Sequence, residues 1–472
     1  MNGFFNREQL YLWLPGFLQN LAISLEGRRL HNRRYGCSYI ELFKEYNERT
    51  FFAAEEHELY RLKRFRQFLR DAGKAPYWRD KFSRRGFDIE ASDIMAELNK
   101  LPILTKKEVK DNLEQISNCN PGEKTIWCHT SGTTGSGLVF PVTRSAEREQ
   151  WATWWRYRNW HGIYQDTWCG YFGGRSIVSL GRTRPPYWRV NRPGHQIMFS
   201  AYHLRENTAE AYIRALVEHD VSWLHGYPSI LVLLAGFVRD QRIRPLPPLK
   251  VITTGAESLL PYQRRLIREA FGAEVFQHYG QVEGVANLSE CEYGRLHADE
   301  DFSLIEFIPV SGADGAFKII GTNWTNPAFP LIRYDTGDIA ILCDDQCPCG
   351  RPGRMVDVID GRKEDYLILP NGVRLGRLDH IFKDLVHILE AQIVQFEPGK
   401  AVFRIVKGAG YDEAGEEKNL LIEARKRLGP EIAIEFEYTD LIPRTSSGKL
   451  RFVVSHITDG HLEPQGSASH TK

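Results

Sequence analysis

The stretch from residue 250 to residue 280 constrains this chain more than any other. "KVITTGAE" is a strand-like run ending in a glycine turn, "PYQRRLIREAFG" is an amphipathic segment opened by proline, and "AEVFQHYG" is a second strand-like run. Strand, helix and strand within about 30 residues form a βαβ unit, and that unit implies a parallel sheet. Further strand-like runs follow in "FSLIEFIPV" (302–310), "GAFKIIGTNW" (315–324) and "PLIRYDTGDIAIL" (330–342). Residues 1–100 read instead as mostly helical, as in "EEHELYRLKRFRQFLRDAG" (55–73), whose apolar residues recur at helical spacing.

At 472 residues the chain exceeds what one small core organises. A boundary is expected near residue 360. Beyond it the pattern predicts a hairpin around Asn371-Gly372, a helix over 376–389, two strands within 391–406, a helix over 412–428 and a last strand over 431–438. The fold class is therefore α/β: a large N-terminal domain (1–360) with mixed and parallel sheets and flanking helices, and a small mobile C-terminal α+β domain (361–462). The tail 463–472 is poor in apolar residues and is expected to be disordered.

Charge excludes little but directs expectation. Lys plus Arg number 61 against 60 for Asp plus Glu, so no general attraction to nucleic acid or to an anionic membrane is expected, and the local basic patch "GRRLHNRRYG" (27–36) reads as a solvated face. The longest apolar stretch, "SILVLLAGFV" (229–238), is about half of a membrane span and reads as a buried helix. Polar residues come too early at the N-terminus for a signal peptide, and eight cysteines without one point to a reducing, cytoplasmic setting. No pattern sets an oligomeric state.

Four loops carry chemistry. "HTSGTTGSG" (129–137) interleaves glycines with hydroxyl side chains between two strand-like runs, as a phosphate-cradling loop does, although a flexible linker has the same composition. "TTGAES" (253–258) and "HYGQVEG" (278–284) place two glycine turns at the carboxyl ends of parallel strands, where open α/β sheets bind ligands. There Tyr279 offers a ring to a base and Glu283 a carboxylate to Mg²⁺; the alternatives are a core tyrosine and a helix-capping glutamate. In "RYDTGD" (333–338), Asp338 follows a glycine turn and is placed to accept from two ribose hydroxyls. "WATWWRYRNWHG" (151–162) reads as a helix burying its tryptophans.

Taken in order, "TSGTTGSG", "TTGAES", "YGQVEG", "RYDTGD", "GRKED" (361–365) and "PRTSSGK" (443–449) resemble the adenylate-forming superfamily of acyl-CoA synthetases, luciferases and adenylation domains. "LPILTKKEVKDN" (101–112), "LHGYPSIL" (224–231) and "CPCGRPGRMVDVIDGR" (347–362) are similar to the phenylacetate–CoA ligase-like enzymes, especially the CapK-like branch associated with capsular polysaccharide biosynthesis. The resemblance implies an AMP-forming acid–thiol ligase that uses ATP and Mg²⁺. It would activate a small-molecule carboxylic acid as acyl-AMP and pass it to coenzyme A. Alternatives are an amine, hydroxyl or sugar acceptor, direct adenylyl transfer, or an inactive nucleotide-binding partner.

Residue by residue, the resemblance puts the ATP phosphates at Thr130, Ser131, Gly132, Thr133, Thr134 and Gly135. It puts adenine along Gly255, Ala256 and Glu257 with Tyr279 and Gly280, Mg²⁺ on Glu283, the ribose on Asp338, and the ribose or phosphate side on Arg362. Glu364 falls at the interdomain hinge, and Lys449 would bridge the substrate carboxylate and the α-phosphate. Two departures stand out: no lysine follows the phosphate loop, and Val282 replaces the hydroxyl residue that usually precedes the Mg²⁺ glutamate. Separately, Cys291, His297, Cys347 and Cys349 form two Cys/His pairs that suit a structural zinc ion, with Cys343 as a substitute ligand. Unligated, reduced cysteines are the alternative.

Overall fold

A computed structural model describes residues 7–36, 38–118, 120–129, 138–173, 177–179, 181–310, 315–360, 367–368, 374–375, 378, 381, 387–408, 410–428, 432–443 and 450–457. Four helices open the chain: α1 (Arg7–Trp13), α2 (Gly16–Arg34), α3 (Tyr39–Arg49) and α4 (Ala54–Ala72). In α4 the buried residues His57, Phe65, Phe68, Leu69 and Ala72 fall on one face, as helical periodicity requires.

The strands are β1 (Thr125–His129), β2 (Val139–Thr143), β3 (Cys169–Gly173), β4 (Trp188–Asn191), β5 (Gln196–Ser200), β6 (Trp223–Gly226) and β7 (Val251–Thr254). They continue as β8 (Glu274–Gly280), β9 (Asn287–Glu290), β10 (Leu296–Ala298), β11 (Leu304–Pro309), β12 (Ala316–Thr322), β13 (Tyr334–Cys343) and β14 (Met355–Asp360). β1 and β2 form their own hairpin. The others make one 12-stranded sheet in the order β11-β12-β13-β14-β10-β9-β8-β7-β6-β3-β5-β4.

Its second half holds the parallel part, in which β5, β3, β6, β7 and β8 run side by side. The helix Pro228–Asp240 connects β6 to β7, and Pro261–Phe271 connects β7 to β8, so the βαβ unit lies where the sequence places it. The apolar run 229–238 is that first buried helix.

The C-terminal part contains the short antiparallel pair β15 (Leu367–Ile368) and β16 (Arg374–Leu375), while the expected Asn371-Gly372 turn lies outside the described residues. Then come β17 (Ile388–Gln395), β18 (Lys400–Lys407), the helix Glu413–Leu428, β19 (Ala433–Tyr438) and β20 (Val453–Ser455). They form a four-stranded sheet ordered β19-β18-β17-β20. Two expectations need correction. β17 begins inside the span read as helix over 376–389, and β19 is not the last strand. β20 spans three residues and pairs in parallel with β17, so its stabilising partner lies far upstream and leaves no local signature. One apolar cluster joins the two sheets, from Phe172 and Leu224 to Leu389 and Phe403.

The helix Arg144–Trp160 carries the tryptophans, of which Trp155 is buried and donates through Nε1 to Tyr35 Oη (2.8 Å). Trp151, Trp154 and Trp160 are only half-buried. On the same helix Arg156 is buried between Asp299 (Nη2–Oδ1 2.7 Å) and Asp301 (Nη1–Oδ2 2.8 Å), and Arg49 from α3 also reaches Asp301 (2.9 Å). Burial pushes the Asp301 carboxyl up, but Arg156 and Arg49 win and hold it well below the ordinary range. Replacing Arg156 with Met leaves two buried carboxylates sharing what remains. The expected loss is about 3–5 kcal/mol, read from the midpoint of denaturant unfolding.

Candidate active site and metal centre

The carboxyl ends of β6, β7 and β8 lie side by side, and the crevice outside such ends is the ligand position of an open parallel sheet. After β7 the chain turns through Gly255, Ala256 and Glu257. Ala256 sits at φ 69°, a left-handed conformation that costs an L-residue with a Cβ about 1–2 kcal/mol. Gly255 is needed for close approach, because a Cβ there would lie 2.9 Å from His278 Cε1.

The Glu257 carboxylate is bound at both oxygens. Oε2 accepts from the N–H of Ser229 (3.1 Å), in the first turn of the helix Pro228–Asp240, and Oε1 accepts from the N–H of Leu450 (2.7 Å). A carboxylate at a helix N-terminus is favoured by the helix dipole. The same side chain thus ties the turn after β7 to the C-terminal part.

Side chains alternate along β8, so His278 and Tyr279 face opposite ways. Tyr279 Oη donates to Asp338 Oδ2 (2.6 Å), and Gln281 Nε2 donates to the same oxygen (2.9 Å). Burial, then Asp338, pushes the Tyr279 phenol well above its ordinary range, so it remains a donor. Asp338 itself is set by a tight turn in which its N–H donates to Thr336 Oγ1 (3.0 Å) and Gly337 takes φ 78°.

Tyr279, Gln281 and Asp338 therefore form one polar cluster. The sequence reading gave Gln281 no role of its own, because it follows the end of β8 at Gly280 and meets Asp338 only in the folded chain. The loop that follows is held from two sides: Gln150 Nε2 donates to Gln281 O (3.0 Å), and Asn323 Nδ2 donates to Glu283 O (3.1 Å). Glu283 is half-buried and Val282 exposed. A Cβ on Gly280 would meet Asn287 Oδ1 at 2.7 Å.

Thr130, Ser131, Gly132, Thr133, Thr134, Gly135, Arg362, Glu364 and Lys449 lie outside the described residues. Their described neighbours do bear on the site. His129 and Val139, which flank the glycine-rich loop, pair across the β1–β2 hairpin, and Leu450 follows Lys449.

On the face opposite Tyr279, the rings of His225 and His278 stack with centroids 6.0 Å apart, and Trp154 lies 5.7 Å from His278. Thr253 Oγ1 receives Trp223 Nε1–H (2.8 Å) and meets His225 Nδ1 (2.8 Å). Burial and then Arg158 push both imidazoles down, His278 to about 3 and His225 well below its ordinary range, so both are neutral near pH 7. The sign of the linkage follows. Between about 3 and the ordinary 6.5 the unfolded chain binds the proton that folded His278 refuses. Stability is therefore expected to fall as pH drops through that window, and His278→Gln to flatten the fall, measured as unfolding midpoint against pH.

Cys291, His297, Cys347 and Cys349 converge, with one donor atom from each lying within 4.8 Å of all the others. Cys291 Sγ is 3.6 Å from Cys347 Sγ, and Cys349 Sγ is 3.3 Å from His297 Nε2. Thiolates bound tetrahedrally at about 2.3 Å sit roughly 3.7 Å apart, so the donor set and its spacing fit zinc. Cys343 stands aside, with its sulfur receiving Arg295 Nη1 (3.5 Å). The turn after β9, the strand β10 and the turn after β13 supply the four donors.

The CapK C-terminal domain family matches residues 369–456. Protein CapK of Staphylococcus aureus is 26% identical over 95% of this chain and 99% of its own length. The phenylacetate-coenzyme A ligase of Thermus thermophilus is 25% identical over 66% of this chain and 70% of its own. Among solved structures, a 2-hydroxyisobutyryl-CoA ligase in its postadenylation state shares the fold, with TM-score 0.67 and 18% identity over 86% of this chain and 91% of that one. The same ligase in its thioesterification state superposes with TM-score 0.52 and 20% identity, again over 86% of this chain and 91% of that one. The chain is thus similar to Protein CapK along nearly its whole length, matches the CapK C-terminal domain at its end, and shares the fold of a CoA ligase that forms an acyl-adenylate.

Proposed function

We propose that the protein is an ATP-dependent ligase that activates a carboxylic acid as an acyl-adenylate and passes the acyl group to coenzyme A. The observation that carries this reading is the junction at Glu257: its carboxylate holds the amide of Leu450, next in sequence to Lys449, against the turn assigned to adenine. Leu450 is thereby held at the carboxyl end of β7, beside the strand β8 that carries Tyr279.

In the proposed reaction a carboxylate oxygen attacks the α-phosphorus, the new P–O bond forms, and pyrophosphate leaves with the electrons of the broken bond. Lys449 neutralises the two anions as they approach, a task suited to a point charge on a flexible stem. The Asp338 carboxylate, already accepting from two donors, takes the ribose hydroxyls, and the ring of Tyr279 covers the base. Glu283 holds Mg²⁺, which supplies charge neutralisation at the phosphates. A thiol then displaces AMP from the acyl carbon. The resemblance implies surface polysaccharide biosynthesis as the setting. A cytoplasmic location suits the six free cysteines among the described residues.

Pyrophosphate release from MgATP across aryl, short-chain and hydroxy acids, with and without coenzyme A, tests the reading. Acid-dependent release is expected, falling roughly hundredfold or more in Lys449→Ala and needing more Mg²⁺ in Glu283→Gln. Release that depends on an acid but never on a thiol would transfer the second step to another acceptor. Silence in every acid, with MgATP binding intact, would leave the chain a nucleotide-binding partner.

We further propose that Cys291, His297, Cys347 and Cys349 bind a structural zinc ion, because four protein donors leave no open position. Metal analysis of purified protein should give one zinc per chain. Cys347→Ser with Cys349→Ser should remove it and lower the melting midpoint, and a full zinc content in that variant would refute the assignment.

A further inference from the structure

α2 is built the opposite way round from an ordinary surface helix. It lies along β4, the edge strand of the large sheet, and several residues it turns toward that strand are polar. Gln19 Oε1 accepts from Arg189 Nε (2.6 Å), Asn20 Oδ1 accepts from the Val190 N–H (3.0 Å), and Ser24 Oγ donates to Val190 O (3.2 Å). Gly27 permits the close approach, since a Cβ there would collide with Asn191 Oδ1. From α1, Tyr11 Oη donates to Ile177 O (2.8 Å).

The outward face is apolar. Leu10 is 56% exposed, Trp13 88%, Phe17 70%, Leu21 55% and Leu25 62%. They recur every three or four residues, and nothing among the described residues covers them. A contiguous apolar patch of this kind marks an interaction surface.

Charge identifies the occupant. Residues 10–36 and 177–195 contain eight arginines (28, 29, 33, 34, 182, 184, 189 and 192) against one acidic residue, Glu26; Arg33 and Arg34 pair with Glu147 and Arg189 is buried, which leaves Arg28, Arg29, Arg182, Arg184 and Arg192 for this corner. Arg28, Arg184 and Arg192 are exposed, and so is Arg29, which forks onto Glu26. The overall balance of 61 to 60 conceals this corner. A second copy docking through the same patch would set the basic corner near its own image. Anionic headgroups instead neutralise the arginines while the interfacial layer receives Trp, Phe and Leu. Among the described residues no helix is long and apolar enough to cross a membrane, so the contact is one of lying on the surface.

We propose that α1 and α2 dock the protein on the face of an anionic bilayer through Trp13, Phe17, Leu21 and Leu25, with Arg28 and its neighbours at the headgroups. The test is co-sedimentation of the full chain with vesicles of phosphatidylglycerol and phosphatidylcholine in equal parts, beside vesicles of phosphatidylcholine alone. The protein is expected to pellet with the anionic vesicles, less so as salt rises, and to lose that binding in Leu21→Gln with Leu25→Gln. Arg28→Gln should weaken it about fivefold. The unfolding midpoint of both variants should match the parent; if the double variant falls, Arg28→Gln alone decides. Equal binding to both vesicles, or none to either, overturns the proposal. So does a concentration-dependent dimer that the leucine substitutions make monomeric, which would assign the stripe to a second copy.

Discussion

The buried ion cluster around Arg156 is the interaction on which the site's geometry depends. One guanidinium joins the helix Arg144–Trp160 to Asp299 and Asp301 at the turn after β10, and Arg49 brings α3 to the same carboxylate. From there the network reaches the crevice. Asp299 Oδ2 accepts from Asn287 Nδ2 (2.5 Å) and Ser289 Oγ (2.7 Å), and Asn287 Oδ1 in turn receives Trp154 Nε1–H (2.9 Å). Asn287 stands directly against Gly280, at the end of the strand that presents Tyr279. Buried charge on this scale stabilises only when every partner is present, so the cluster makes the position of β8 an all-or-none property of the fold.

A second constraint acts between the two sheets. Glu257 cannot hold the amides of Ser229 and Leu450 together unless the C-terminal part sits over the crevice. The anchoring is polar and local, while the apolar packing nearby is carried by Leu389 against Gly236 of the helix Pro228–Asp240. A carboxylate shared between two backbone amides can exchange them for water at modest net cost, so the apolar packing carries more of the join than Glu257 does.

Much of this was legible in the sequence because the strongest signals are local. The βαβ unit of 250–280, the buried helix of 229–238 and the helix of 413–428 each carry periodicity and turn residues within one short window. The ordered motifs carried the resemblance to the superfamily for the same reason. What escaped was non-local or polar. β20 is fixed by its parallel partner β17, and the role of Gln281 exists only because Asp338, 57 positions away, comes to meet it. The Cys and His pairs were visible as spacing, whereas their convergence within 4.8 Å required the strands between them to be folded. The basic run at 27–36 was visible as a string, but as a string it reads as a solvated face, because the apolar stripe beside it exists only once α2 is set against β4.

That stripe follows from how the large sheet ends. β4 is an edge strand, and its unpaired backbone groups must find donors and acceptors or remain a template for further strands. α2 supplies them from Asn20 and Ser24. Turning the helix by half a turn would bury Leu21 and Leu25 but strand the Val190 N–H and C=O, each costing about 1–3 kcal/mol. The edge therefore sets the rotation of the helix, and positions 17, 21 and 25 face outward as a consequence. Nothing in that geometry requires them to be apolar. Serine or glutamate would serve the sheet equally well at those positions, so Phe17, Leu21 and Leu25 answer to something outside the fold.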